Sequence, residues 1–427
     1  MHTQPLTRRH ALIGLTTLAA TPALAQSMLD ATTLGVAADS GQDQSTALQS
    51  AVDQAASSGQ TLRLPAGQIE ILGLDIPGNL VIEGVPGGTV LAALPGGSGI
   101  AITGRASLVL RDIGFAAAPL TIQGSDDVAL ERCSFMAVDI GVAIRDSGVT
   151  IRDCRFNDIG DAAIHSMDSR GLLIAGNRIE NCGNAGIRIW RSDSGADGSI
   201  VTNNHIARID WRGGGDGQNG NGINVFRADE VIIADNHIAD CAFTAVRLNG
   251  TNNSQISGNT CLRSGEVAIF SEFEFSGSII ANNIVDGAAT GISITNLDVG
   301  GFLAVCAGNL VRNITPTSTV NPDTIPIGIF AEADAAITGN TVHNVPGIGI
   351  AAGYGAFLRN VLISGNVVSE ANYGIGVSVV DGAGAVQIGA NMVAAREHNI
   401  VGLAWSAVVE TDLLNNAGDY PNVRLGG

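Results

Sequence analysis

One phrase recurs along most of this 427-residue chain: a short apolar alternation that ends on asparagine. It reads LLIAGN at 172–177, VIIADN at 231–236, SQISGN at 254–259, SIIANN at 278–283, AAITGN at 335–340 and VLISGN at 361–366. The turn residues are Asn177, Asn204, Asn236, Asn259, Asn283, Asn309, Asn340, Asn366 and Asn391, spaced 27, 32, 23, 24, 26, 31, 26 and 25 residues apart. Self-similarity at such a period marks a solenoid, in which each unit buries its apolar face only against its neighbours. A leucine-rich repeat has a similar period, but it needs regularly spaced leucines and usually a helical half-repeat, and neither is present. Strand alternation with Gly and Asn at the corners predicts a three-sheet coil. Asparagine tolerates the left-handed corner conformation, and stacked amides would bond rung to rung as a ladder. The expected fold is all-β, a right-handed parallel β-helix of about a dozen coils, roughly 60 Å long at ~4.8 Å per coil.

The third strand of each coil sets which side chains face out. Its segments are GVAIRDS (141–147), AIHSMDS (163–169), GIRIWRS (186–192), GINVFRA (222–228), AVRLNGT (245–251), AIFSEFE (268–274) and GISITNL (291–297). Aligned on an inward Val142, Ile164, Ile187, Ile223, Val246, Ile269 and Ile292, strand period two turns the next residue outward. The first outward column is then Ala143, His165, Arg188, Asn224, Arg247, Phe270 and Ser293. The second is Arg145, Met167, Trp190, Phe226, Asn249, Glu272 and Thr295. Later coils offer Phe330, Ala351, Gly353 and Gly376, a bland continuation.

The ends need protection from strand pairing with other chains. Residues 45–58 read as an amphipathic capping helix with Ser45 as N-cap, a buried stripe of Leu48, Ala51, Val52 and Ala55, and Gly59 as the stop. This divides a single domain over 26–427 into an N-terminal cap (26–70), coils (71–394) and a C-terminal cap (395–427). Residues 1–25 read as an export signal: Arg8-Arg9 precede an apolar run over 11–20 and the small-residue site Ala23-Leu24-Ala25. The paired arginines resemble a twin-arginine signal, with Ala11 and Ile13 departing from that pattern and ordinary Sec export as the alternative. Either route leads to a periplasmic or secreted protein, and no later stretch is long and apolar enough to act as a membrane anchor. Export would permit disulfides. However, Cys133 and Cys154 fall in the slot that Asn177 fills later, and Cys182 and Cys241 share another slot with a coil between them. Such placements predict buried free thiols.

Residues 34–67, LGVAADSGQDQSTALQSAVDQAASSGQTLRLPAG, resemble the opening of the pectin-lyase-like β-helix superfamily, where a capping helix precedes the first coil. The signal together with the Asn-cornered coils also resembles a twin-arginine-translocated repeat family. These resemblances span nearly the whole chain. They imply the fold and say little of the chemistry. Polygalacturonase-type members carry Asn-Thr-Asp, Asp-Asp, Gly-His-Gly and Arg-x-Lys motifs. Here Asp126-Asp127 is the one echo and the chain has no Lys, which argues against a hydrolase of that type. Pectate-lyase-type members often bind calcium through clustered acids, for which Asp193 and Asp197 are the nearest candidates; no other cofactor is expected.

Charge narrows the function classes further. The chain carries −18, so nucleic acid and anionic membranes are repelled, and no Gly-rich phosphate motif opens a helix after a strand. Residues 145–263 hold 12 Arg and 14 acids, a near-neutral stretch where an anionic ligand is least repelled. The 32-residue gap before Asn236 marks an insertion over 210–222, DWRGGGDGQNGNG, read either as part of a binding face or as an unconstrained Gly-rich turn.

The expected substrate is an acidic, uronate-containing polysaccharide, and the expected activity that of a carbon–oxygen lyase or an epimerase. A base would take the proton α to the carboxylate while cations stabilise the charge that develops. Arg188 and Arg247 would grip carboxylates, His165 would carry the proton, and Glu272 would be an acid or base about four coils away. Arg145, Trp190, Trp211, Asn224, Phe226 and Asn249 would bind the sugar rings. The alternative is a non-catalytic glycan-binding or envelope-structural β-helix, with an adhesin-like surface protein as a third class.

Overall fold

The computed structural model describes residues 27–215, 217–295 and 301–426. The export signal read over 1–25 lies outside the described residues.

The chain winds into a parallel β-helix whose faces are stacked strands. The first sheet holds 16 parallel strands, running from Met28–Asp30 and Thr61–Arg63 to Val423–Gly426. The second and third sheets form one hydrogen-bonded network of 27 strands, because Thr341–Ala352 and Val367–Ser378 run through the corner between them. The interior is a continuous aliphatic column, with Val142, Ile164, Ile187, Ile223, Val246, Ile269 and Ile292 all fully buried. Near the N-terminal end Phe115, Phe135 and Phe156 stack inside it with ring centroids 4.7 Å apart.

Asparagine does form the predicted ladder. In each rung the backbone N–H and Nδ2 of one asparagine donate to Oδ1 of the next, as Asn236 does to Asn259 at 3.0 Å for both bonds. The same Nδ2 reaches the carbonyl of the coil before, here Val201 at 3.0 Å. Cys154 Sγ substitutes at the start of the ladder by accepting from the Cys133 N–H at 3.4 Å. The conformational role differs from expectation. The left-handed residue is the one before each ladder asparagine, as at Gly176, Asn203, Asp235, Gly258 and Asn282, while the asparagine itself turns its amide inward. A second ladder, Ser125–Ser147–Ser169, links backbone N–H to hydroxyl at 3.1 and 3.2 Å. Serine is too common a surface residue for spacing alone to have revealed it.

The capping helix spans Ser45–Ser58, buries Leu48, Ala51, Val52 and Ala55, and ends at left-handed Gly59. Ser45 is not its cap. Gln44 holds that position, and the Ser45 hydroxyl accepts from the Leu72 N–H at 2.8 Å, which ties the helix to the first coil. The coils extend past both predicted limits. Thr61–Arg63 and Gly67–Ile71 already pair in register, and His398–Ala404 continues the third sheet before an antiparallel return over Ala407–Glu410. All six cysteines are buried free thiols.

Candidate functional site

The third sheet carries both predicted outward columns in the predicted order. His165 pairs in register with Arg188, Arg188 with Asn224, Asn224 with Arg247, and Arg247 with Phe270. Beside them run Arg145, Met167, Trp190, Phe226, Asn249 and Glu272. These side chains share one wall, and the insertion over 210–222 folds across it.

That cover changes what the arginines do. Arg188 Nη1 and Nη2 bond Asp161 at 2.8 and 2.9 Å, and Nη2 also reaches Asn219 of the insertion at 2.8 Å. Arg247 bonds Glu272 at 2.7 and 3.0 Å and Glu266 at 3.2 Å. Gly217, at φ 136°, lies directly on this guanidinium, and a Cβ there would collide with it. Both arginines are buried, so neither is the open carboxylate grip that their outward register implied. Glu272 is buried as well, with Arg247 and the Asn249 amide (2.8 Å) on its carboxylate.

Beneath the insertion lies a cleft of about 530 Å³. Trp190, Phe226 and Phe273 give it apolar walls, while Asn249, Glu272 and Arg247 reach it from the sheet. Asn224 fixes the geometry: its Oδ1 accepts from the Trp190 indole N–H at 3.0 Å, and its amide reaches the Gly217 carbonyl at 3.4 Å. Trp190 meets Phe226 edge-on at 6.4 Å. Trp211 stands apart from this group. Its ring packs on Phe243 at 5.1 Å and its N–H bonds Gly215 at 3.1 Å, so it supports the insertion and does not line the cleft.

Toward the N-terminal side, His165 and Arg145 line a smaller hollow of about 200 Å³. Burial pushes the His165 imidazole below its ordinary pKa, and the neighbouring Arg188 charge pushes the same way. Burial raises the Asp161 carboxyl, but the hydrogen bonds from Arg188 and Asn184 outweigh it and hold the group below the ordinary carboxylate range. Arg145 is exposed, with a long 3.6 Å pairing to Asp168. The calcium candidates are split: Asp193 is exposed, whereas Asp197 is buried with Oδ1 accepting from the Ser199 N–H at 3.1 Å. Among the described residues no group of three or more His, Cys, Asp or Glu side chains is placed to hold a metal ion.

A family profile described as right handed beta helix region matches residues 83–206 and 141–313, more than half of the chain. The chain belongs to this right-handed β-helix family. That membership supports the pectin-lyase-like superfamily read from residues 34–67. No curated protein matches this β-helix by sequence. Among solved structures, pre-mature gene product 12 of bacteriophage phi29 aligns with a TM-score of 0.58 at 14% identity, over 90% of this chain and 57% of that one. A PL6 alginate lyase in complex with a trisaccharide aligns with a TM-score of 0.55 at 14% identity, over 94% and 96%. The A-module of the Azotobacter vinelandii mannuronan C-5 epimerase AlgE4 aligns at 0.46 and 15% identity, over 93% and 100%. At such identities the likeness concerns the β-helix fold.

Sequence reasoning overlooked the later coils. Phe330 and Ala351 do continue the column, but the wall there is not bland: Tyr354 and Trp405 stand over it and enclose a further cleft with Phe270. The 31-residue gap before Asn340 was the available signal, since the segment it adds forms the rim of that cleft.

Proposed function

We propose that this protein is an exported, polysaccharide-active β-helix that lays an acidic, uronate-containing glycan along the third sheet and acts on it as a lyase or epimerase. The export signal and the resemblance to a twin-arginine-translocated repeat family support a periplasmic or secreted location. Both activities begin with removal of the proton α to a uronate carboxylate.

One observation carries the chemistry: His165 and Arg145 line one hollow on the wall, the imidazole held toward its neutral form and the guanidinium exposed. A neutral imidazole is a competent base near neutral pH. Its Nε2 is buried without a hydrogen-bond partner among the described residues, which leaves Nδ1 as the nitrogen for proton transfer. Arg145 takes over the carboxylate-binding role first read for Arg188 and Arg247, which are ion-paired internally. The aromatic cleft alongside would hold neighbouring rings on Trp190 and Phe226.

The internal pairing of Arg188 and Arg247 favours a second reading, a groove that binds glycan without turning it over. Incubating the protein with alginate, polygalacturonate and glucuronan, and following both unsaturated uronate product by absorbance (lyase) and C-5-inverted uronate product by proton NMR (epimerase), separates the two. Product of either kind that disappears in His165→Ala, with a raised KM in Arg145→Ala, supports catalysis, and its kind tells lyase from epimerase. Binding without product supports the second reading, and absence of both removes the proposal.

A further inference from the structure

The segment 315–326, added by the 31-residue gap before Asn340, folds back over the third sheet. Ser318 Oγ donates to the Gly265 carbonyl at 2.7 Å, Asn321 Nδ2 to Glu266 Oε1 at 2.8 Å, and Thr290 Oγ1 to the Ile325 carbonyl at 2.6 Å. These bonds wall in a cleft of about 310 Å³ on the same face as the Trp190 cleft. Phe270 and Phe330 in its lining belong to the column that carries His165 and Arg188. The two clefts meet at Arg247, which bonds Glu272 of the first and Glu266 of the second.

Trp405 dominates the far side. It is 48% exposed yet sits in the left-handed region at φ 58°, a conformation that a bulky residue keeps only when its surroundings enforce it. Tyr354 meets the indole edge-on at 5.0 Å, and Gly355, itself left-handed, lies so close that a Cβ would collide with the ring. The chain thus fixes the orientation of a solvent-facing indole.

Charge selects what this ring faces. Asp323 presents an exposed carboxylate to the cleft, the Glu266 carboxylate is already bonded to Arg247 and Asn321, and among the described residues none in the lining is Arg, Lys or His. A uronate is repelled there. An uncharged sugar offers an apolar face to an indole and hydroxyls to carboxylate and amide groups. We infer that this cleft is a second saccharide subsite that takes an uncharged sugar ring stacked on Trp405. The inference rests on the glycan reading above and extends it: a chain spanning both clefts would be mixed, acidic toward Arg145 and uncharged toward Trp405.

Calorimetric titration of the purified protein with uncharged oligosaccharides (gluco-, manno-, galacto- and N-acetylglucosamine series) and with oligouronates tests this. At least one uncharged series should bind, and Trp405→Ala should weaken it about ten-fold, the loss of a stacking contact worth ~1.4 kcal/mol. Asp323→Arg, at an exposed loop position that leaves folding intact, should raise oligouronate affinity several-fold. The inference is overturned if no uncharged series binds, if Trp405→Ala leaves affinity unchanged in a folded protein, or if Asp323→Arg fails to admit oligouronates. Uronate product formation is read separately. Its absence beside Trp405-dependent binding removes the lyase reading and leaves this subsite standing, and the converse pattern removes only the subsite.

Discussion

Arg188 holds Asp161 by a two-pronged ion pair, at 2.8 and 2.9 Å, so the guanidinium next to His165 on the wall is already occupied. The Arg188 side chain is 5% exposed and that of Asp161 31%. Removing either partner leaves a largely buried charge without its counter-ion, which costs about 3–5 kcal/mol for a fully buried pair. The residual exposure of Asp161 lowers this to roughly 2–4 kcal/mol for Arg188→Ala. Chemical denaturation should show that loss, and Arg188→Met with Asp161→Asn together should recover part of it.

The pH dependence has a definite sign. His165 titrates below its ordinary 6.5 because burial and then Arg188 disfavour the imidazolium. The unfolded chain therefore binds the proton more readily, and stability rises with pH between the folded and unfolded values. This contribution is complete above the unfolded value and is lost as pH falls from 6.5 toward the folded value. Denaturation midpoints for the protein and for His165→Gln should converge as the buffer is made more acidic within that window. If His165 is the base, the acid limb of activity should also lie below 6.5.

The asparagine ladder should be sensitive to side-chain chemistry. Asn259→Ala removes the partners of the Asn236 N–H and the Ile233 carbonyl, while the Asn236 amide keeps the Val201 carbonyl. Each such buried group costs about 1–3 kcal/mol, so a total loss of roughly 2–5 kcal/mol is expected. Asn259→Cys should cost less, because Cys154 already accepts a rung N–H in the same slot. Thermal unfolding of the two variants gives the order.

The thiols should be inert in the folded protein. Burial pushes Cys182, Cys261 and Cys306 up to about 12 and raises Cys241 as well, while the hydrogen bond with Cys133, and then burial, raises Cys154. A maleimide or disulfide reagent should label none of the six without denaturant, and reductant should leave the melting temperature unchanged.

The register was legible because strand period two leaves no freedom once one inward residue is placed. Ile187 and Ile223 align the coils, and His165, Trp190 and Phe226 then follow on the outer wall. Outward was equated with exposed, and that step failed at Arg188, Arg247 and Glu272. Their burial depends on where the insertion over 210–222 lands, which is set by tertiary bonds such as Arg188 to Asn219 and the seating of Gly217 on Arg247. Trp405 was missed for a similar reason. It lies beyond the recognisable repeat, and only the hairpin after Ala404 swings it back over Tyr354.

The central claim is that a glycan lies along the third sheet between Arg145 and Trp405. A crystal structure of the protein with an oligosaccharide bound tests it most directly. Sugar rings stacked beside Trp190 and Phe226, with a carboxylate at Arg145 within reach of His165, are the predicted result. Rings resting on the first or second sheet, with the third left bare, would contradict it.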